Sequence, residues 1–332
     1  MRHELVITNA LIVTRQDSFQ GTLCTVDGAI AEIAPGSSGV AGGLDFEGDL
    51  LLPGLVELHT DVLEKHLAPR PGVLWPVPAA VLAYDAQLAA AGITTVLDSL
   101  AVGYLIDGGQ RPRDPRPLIE AVRAAQDAGR LRADHHLHLR CEVSTEFVVR
   151  DFEPFVRDPL LRLVSLMDHA PGQRQFVSLE KFREYNQGRY GLSDAQMDML
   201  IEQRLADHVR FGARHRTTIV ALCQKHGLRL ASHDDATGAH VEEAAEIGTL
   251  IAEFPTRSRP QRLRARGASP SWRERPTSYA AAPTPTTCRR GSWRGVGCWT
   301  SSRPTTCRPP PCMGPGRFTS ATICRFIRRW LR

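Results

Sequence analysis

The apolar positions of residues 4 to 256 switch repeatedly between a two-residue and a helical period. Residues 4 to 50 hold short runs, LVITNALIVT, GTLCTVDGAIAEIAP and GLDFEGDLLLP, with Gly or Asp-Gly where direction must reverse. They predict a small set of strands joined by tight turns. Leu51, Leu52, Leu55, Val56 and Leu58, broken only by Pro53, Gly54 and Glu57, then predict a buried strand that runs out into His59, Asp61, Glu64 and His66. Strand and helix alternate from there. PAAVLAYDAQLAAAG has helical spacing and a Gly92 stop, ITTVLD reads as a second buried strand, and PRPLIEAVRAAQDAG is a helix with Pro near its start and Gly129 at its end. ADHHLHLRCEV, LLRLVSLMDHAPGQRQF, LRLASHDDAT and GTLIAEFPT predict four more strands. The segment from Leu192 to Gly227 predicts one or two amphipathic helices, whose Asp, Glu and Arg read as a solvated face.

Polar residues gather where these strands end. His59 and Asp61 are two apart on an extended chain, so both leave one face and can converge on a cation. An imidazole beside a carboxylate suits Zn, Mn or Fe(II) better than Ca; taken alone, the pair serves equally as a hydrogen-bonded strand end. In ADHHLHLRCEV the alternation puts His136, His138, Arg140 and Glu142 on one face and His135, Leu137, Leu139 and Cys141 on the other. Glu142, nearest the strand's end, is the stronger site candidate, and any single His there fits a hydrogen-bonded core role at least as well as ligation. Asp168 and His169 end the next strand, and His233, Asp234 and Asp235 end the one after, before a helix that Thr237 can cap.

PGLVELHTD resembles the first metal motif of the amidohydrolase superfamily. The longer run HTDVLEKHLAPRPGVLWP, followed by DAQLAAAGITTVLDSLAVG, is similar more specifically to the PhnM family of that superfamily, and the likeness extends to about Thr256. The resemblance implies an α/β fold, a (β/α)8 TIM barrel with a small β-sandwich. It implies one or two divalent ions, Zn or Mn, held by His59, Asp61, Glu142, His169 and His233, with Glu142 standing where some members use a carboxylated Lys. The reaction implied is hydrolysis of α-D-ribose 1-methylphosphonate 5-triphosphate to the 5-phosphate and diphosphate, a step of phosphonate breakdown. Lys65, His66 and Arg70 follow the motif closely enough to meet polyphosphate oxygens, and a basic surface loop reads equally well. A cyclic amidase acting on a C–N bond is the alternative, because the same metal site serves both chemistries. A Walker A pattern is absent, which argues against a P-loop ATPase.

Composition then splits the chain. Residues 257 to 332 hold 17 Arg, no Lys and one acid, Glu274, for a charge of +16, whereas the remainder carries 24 basic and 35 acidic residues, or -11. Five of the eight Cys and ten prolines fall in the same tail, as in RSRPQRLRARG and CRPPPC, with no helix or strand period. This predicts 1–50 as part of a small β-sandwich, 51–256 as a barrel lacking its last two strands, and 257–332 as a disordered tail. A basic tail suggests phosphate contacts with nucleic acid, and its Cys suggest metal, but Cys288, Cys298, Cys307, Cys312 and Cys324 make no CxxC pair. A shifted reading frame explains more. One codon choice for TSYAAAPTPTTCRRGSWR, Thr277 to Arg294, reads LVRGGSHSDNVSARELA two bases later, and the same offset turns WTSSRPTTCR into DILSSDYVP. SSDYVP is similar to the end of the family's eighth strand, whose Asp binds metal and takes a proton from the attacking water; Pro304 and Thr305 stand there instead. The expectation is a chain without that catalytic Asp, impaired in activity, with a small-molecule substrate and no specific nucleic-acid partner. A homo-oligomer is compatible with the sequence. No window of about 18 apolar residues and no N-terminal apolar core occurs, so a soluble cytoplasmic protein without membrane contact is expected.

Overall fold

A computed structural model of the chain describes residues 3–70, 73–103 and 114–255. The first element is a five-stranded sheet. In it β1 (Glu4–Val13), β2 (Ser18–Val26) and β3 (Ala29–Pro35) pair antiparallel, and the short β4 (Leu44–Asp45) and β5 (Leu50–Leu51) lie parallel to β1. The β2–β3 turn is Asp27-Gly28, both at positive φ (49° and 86°), the conformation that the Asp-Gly pair accepts at low cost. Leu5, Ile7, Ala10, Ile12, Leu23 and Leu51 form its apolar core. Leu51 thus corrects the sequence reading: it pairs with Ile12 in this sheet and is not the start of the strand that carries His59.

The second sheet is parallel throughout: β6 (Leu55–Thr60), β7 (Ile93–Val102), β8 (Asp134–Glu142), β9 (Leu161–Met167), β10 (Arg229–His233) and β11 (Ile251–Glu253), each beside its neighbour in sequence. Helices fill the crossovers: α1 (Val62–Leu67), α2 (Val77–Ala90), α3 (Arg116–Asp127), α4 (Val148–Phe152), α5 (Leu179–Tyr190), α6 (Asp194–Asp207), α7 (Ala213–His226) and α8 (Gly238–Glu246). Consecutive parallel strands with helical crossovers are the build of a (β/α)8 barrel, here incomplete at six strands among the described residues. The core lies between sheet and helices, where Leu137, Leu139 and Cys141 of β8 meet Tyr84 and Leu88 of α2, Leu118 and Val122 of α3 and Ile219 and Cys223 of α7. Leu97, Leu163 and Ala231 form a smaller cluster, with Ile251 against it.

The strand expected to be buried is exposed. Leu55, Val56 and Leu58 are 50%, 49% and 36% accessible, because β6 is the sheet's edge and pairs only with β7 among the described residues. A strand's burial depends on its lateral neighbour as well as its own apolarity. Among the described residues no helix is long and apolar enough to cross a membrane. The expectations of a disordered tail, of tail cysteines and of Pro304 and Thr305 in place of an Asp fall outside the described residues.

Candidate metal centre

Strand direction gathers the chemistry. In β8 the helix-facing residues are Leu137, Leu139 and Cys141, so His138, Arg140 and Glu142 face the other way, as the alternation predicts; all three are buried. His59 comes from β6, His233 from the end of β10, and His169 from the turn after β9. Parallel pairing puts these strand ends on one side of the sheet, where barrel enzymes keep their chemistry.

Two sets of donors form there. His59, His138 and Glu253 offer ligand atoms within 4.8 Å of one another, and so do His169, His233 and Asp234. His59 Nδ1 lies 3.1 Å from Glu253 Oε1, and its ring centroid is 5.1 Å from that of His138 and 5.3 Å from that of His233. Phe254 closes one side, its ring 4.7 Å from His59 and 5.4 Å from His233. In the second set His233 Nδ1 is 2.8 Å from Asp234 Oδ2, His169 Nε2 is 3.8 Å from the same oxygen, and the two imidazoles are 5.7 Å apart. Glu142 lies beneath: its Oε2 meets His169 Nδ1 at 2.5 Å, and its Oε1 accepts from Ser144 Oγ and the His169 amide at 2.8 and 3.0 Å.

The protonation states fit ligation. Burial, with the Arg140 guanidinium nearby, pushes His59 down to about 2, and burial takes His138 to about 3. Both imidazoles are neutral and hold a lone pair. Burial opposes charge on His169, but Glu142 and Asp234 outweigh it and hold the imidazole at about 10; a cation would displace that proton, as ligation by His generally does. Burial likewise opposes charge on Glu142 and Asp234. The facing imidazoles prevail, holding Glu142 at about 2 and Asp234 well below the usual carboxylate range. His59 Nδ1 and Glu253 Oε1 are buried without a hydrogen-bond partner. Neutral imidazoles, carboxylates and unpartnered buried donor atoms together suit a borderline divalent cation such as Zn or Mn.

The other expected residues lie elsewhere. Asp61 precedes α1, half-buried, with Lys65 Nζ 3.9 Å from its Oδ1; neither donor set includes it. Lys65 is exposed on α1, a helix that the apolar spacing does not announce. His66 Nε2 is 2.7 Å from Gln87 Oε1 of α2, and Arg70 is exposed. The solvated-face reading of residues 192–227 needs correction. His208 opens a π-helical turn, His208–Gly212, and its Nδ1 is 2.9 Å from Asp168 Oδ2; Arg216 is largely buried, with Nε 3.2 Å from Glu243 Oε1 and Nη2 3.9 Å from Asp168 Oδ2. The extra residue of the π turn rotates α7 about its axis, so a polar side chain placed outward by an α-helical period turns inward. Arg174, buried, donates to Asp235 Oδ1 at 2.7 Å, Glu243 Oε2 at 2.5 Å and the His233 carbonyl at 3.4 Å. Glu253 also escaped notice: its one signal was a lone acid between Ala252 and Phe254 in an apolar strand.

No protein-family model matches the chain. Over 252 residues, 76% of this chain and 67% of the relative, it is 46% identical to the alpha-D-ribose 1-methylphosphonate 5-triphosphate diphosphatase of Escherichia coli (strain K12). Among solved structures it is similar to a D-hydantoinase (17% identity, TM-score 0.39, 75% of this chain and 56% of that one). It is also similar to a zinc-bound adenosine deaminase from Xanthomonas campestris (15% identity, TM-score 0.41, 76% and 62%). The chain therefore spans little more than half the length of such structures. With close to half its matched residues identical to a diphosphatase across two thirds of that protein, the chain belongs to the alpha-D-ribose 1-methylphosphonate 5-triphosphate diphosphatase family.

Proposed function

We propose that this chain carries the centre of a metal-dependent hydrolase that cleaves α-D-ribose 1-methylphosphonate 5-triphosphate to the 5-phosphate and diphosphate. The observation that carries the reading is the convergence of imidazole and carboxylate donors at the strand ends, in a chain that shares 46% identity with a diphosphatase. His59, Glu142, His169 and His233 would hold one or two ions, Zn or Mn, together with Asp234, while Asp61, expected among them, stands outside both donor sets. A bound divalent ion lowers the pKa of water and neutralises charge on a transferring phosphoryl group. The protein groups do the rest. Glu142 fixes the His169 ring through Nδ1 and turns Nε2 towards His233 and Asp234. Arg174 grips the His233 carbonyl and Asp235, holding the end of β10. Lys65 and Arg70, exposed beyond the first strand end, are cations able to meet polyphosphate oxygens.

Residues 257 to 332 fit this function poorly, and we propose that they are read out of frame, in a protein that is otherwise soluble and cytoplasmic. The 252 matched residues are close to the length of chain before the composition changes. On this reading the Asp that orients and deprotonates water is missing at Pro304 and Thr305, and losing a general base alone costs about 10²- to 10⁴-fold. The test is ³¹P NMR of the triphosphate incubated with the chain as written and with the product of a single-base repair after Thr256, with hydantoin as a control substrate. Diphosphate should appear quickly with the repaired protein and slowly or not at all with the chain as written. Hydantoin opening without diphosphate release would instead assign the centre to C–N hydrolysis.

A further inference from the structure

We propose that Arg216 and His208, on either side of Gly212, form an anion subsite beside the candidate metal centre that takes the polyphosphate end of the substrate. The choice of occupant rests on the triphosphate reading of the proposed function. Anion binding tests the subsite without turnover, so its failure and the failure of that reading are distinguishable.

The first ground is an unspent guanidinium. Arg174 and Arg216 flank the same carboxylate, Glu243. Arg174, its side chain 4% exposed, donates to Glu243 Oε2, Asp235 Oδ1 and the His233 carbonyl. Arg216, 15% exposed, has ionic neighbours and no hydrogen bond among the described residues: Glu243 Oε1 is 3.2 Å from Nε and Asp168 Oδ2 is 3.9 Å from Nη2. Both carboxylates have nearer donors. Asp168 meets His208 Nδ1 at 2.9 Å and the Ala170 amide at 3.2 Å, and Glu243 takes Arg174 at 2.5 Å. Burial, then the Arg174 guanidinium, push Arg216 down, and the carboxylates around it do not offset them. A pair of phosphate oxygens on the guanidinium fork supplies the missing countercharge through two charge-assisted hydrogen bonds.

The second ground is space. His208 Nδ1 and Arg216 Nη2 both approach Asp168 Oδ2, and Gly212 lies between them in sequence. A Cβ on Gly212 would lie 3.2 Å from His208 Nδ1 and 3.9 Å from that same oxygen. Gly212 is helical, with φ −50° and ψ −58°, so the backbone does not require glycine there, and a helix interior disfavours it. Its missing side chain leaves room between the imidazole and the guanidinium.

The third ground is position. The π turn brings His208 and Arg216 inward, and His208 keeps 29% of its side chain exposed. Asp168, on which both converge, directly precedes His169 of the donor set His169, His233 and Asp234. A phosphoryl group held by Arg216 and His208 thus adjoins that set, and the next group of the same polyphosphate can reach it.

The experiment is titration calorimetry of the full chain, stripped of metal with chelator so that protein groups alone can hold the anion, using inorganic tripolyphosphate and, separately, inorganic phosphate. Tripolyphosphate should bind more tightly than phosphate. Arg216→Gln should weaken it by at least about tenfold, Arg216→Lys by less, and His208→Gln severalfold. Gly212→Ala, at ease in a helix, should keep the thermal midpoint and weaken the anion. No binding by the parent chain, a smaller loss from Arg216→Gln, or undiminished affinity in Gly212→Ala overturns the proposal. Should Arg216→Gln unfold the chain, phenylglyoxal modification of the unaltered protein decides by mass spectrometry: protection of Arg216 by tripolyphosphate supports the subsite, and equal modification with and without it overturns it. Tripolyphosphate binding without triphosphate cleavage by the frame-repaired protein would keep the subsite and discard the hydrolase reading.

Discussion

Replacing His135 by Gln should destabilise the fold by an amount that depends on pH. His135 is fully buried on the helix-facing side of β8, with Nδ1 2.9 Å from Asp98 Oδ2 and Nε2 3.5 Å from Asp85 Oδ1, both of which are also fully buried. Burial opposes its charge, but Asp98 and Asp85 outweigh that and raise it from 6.5 to about 9. At about 1.4 kcal/mol per tenfold change in proton affinity, this corresponds to about 3 kcal/mol of stability. Because the folded pKa is the higher one, the contribution is complete below pH 6.5 and is lost as pH rises towards 9. Asp85 keeps Arg132 and the amides of Arg132 and Ala133 when His135 goes; Asp98 loses its cation, and breaking a buried pair from one side costs about 3–5 kcal/mol. Urea unfolding of the chain and of His135→Gln should therefore show a deficit of about 3–5 kcal/mol at pH 6 that shrinks by about 3 kcal/mol at pH 9.5. A deficit under about 1 kcal/mol at pH 6, or one that does not change with pH, would refute an imidazolium between two carboxylates.

Gly103 has φ +76°, and a Cβ there would lie 2.5 Å from Thr145 Oγ1 and Val148 Cβ; Gly103→Ala should cost at least about 2 kcal/mol and lower the thermal midpoint by several degrees, and an unchanged midpoint would contradict the packing. Arg174→Ala removes the guanidinium from Asp235 and Glu243 and should destabilise by about 3–5 kcal/mol, with Arg174→Lys recovering part, measured by denaturant midpoint.

Much of this was legible because local chemistry and the final fold agree. Asp27-Gly28 forms the turn its residues favour, α2 and α3 stop at glycines with positive φ, Gly92 and Gly129, and the alternation in β8 sorts leucines from polar residues as the pleat requires. What escaped depends on distant neighbours. Leu55, Val56 and Leu58 look like core by composition and are exposed by position, since an edge strand is defined by the strand beside it. The π turn at His208 breaks the period on which a solvated face at Arg216 was read. Glu253 pairs with His59 and His138 across 194 and 115 residues, and nothing within a short strand of three residues announces it.

The central claim is that the strand-end imidazoles hold the metal on which triphosphate cleavage depends. The direct measurement is the rate of diphosphate release from α-D-ribose 1-methylphosphonate 5-triphosphate by the frame-repaired protein, first chelator-stripped and then titrated with Zn²⁺ or Mn²⁺, beside its His233→Ala variant. The account predicts no release by the stripped protein, recovery in step with bound metal, and little or no recovery in His233→Ala. Full activity without metal, or equal recovery in His233→Ala, would contradict it.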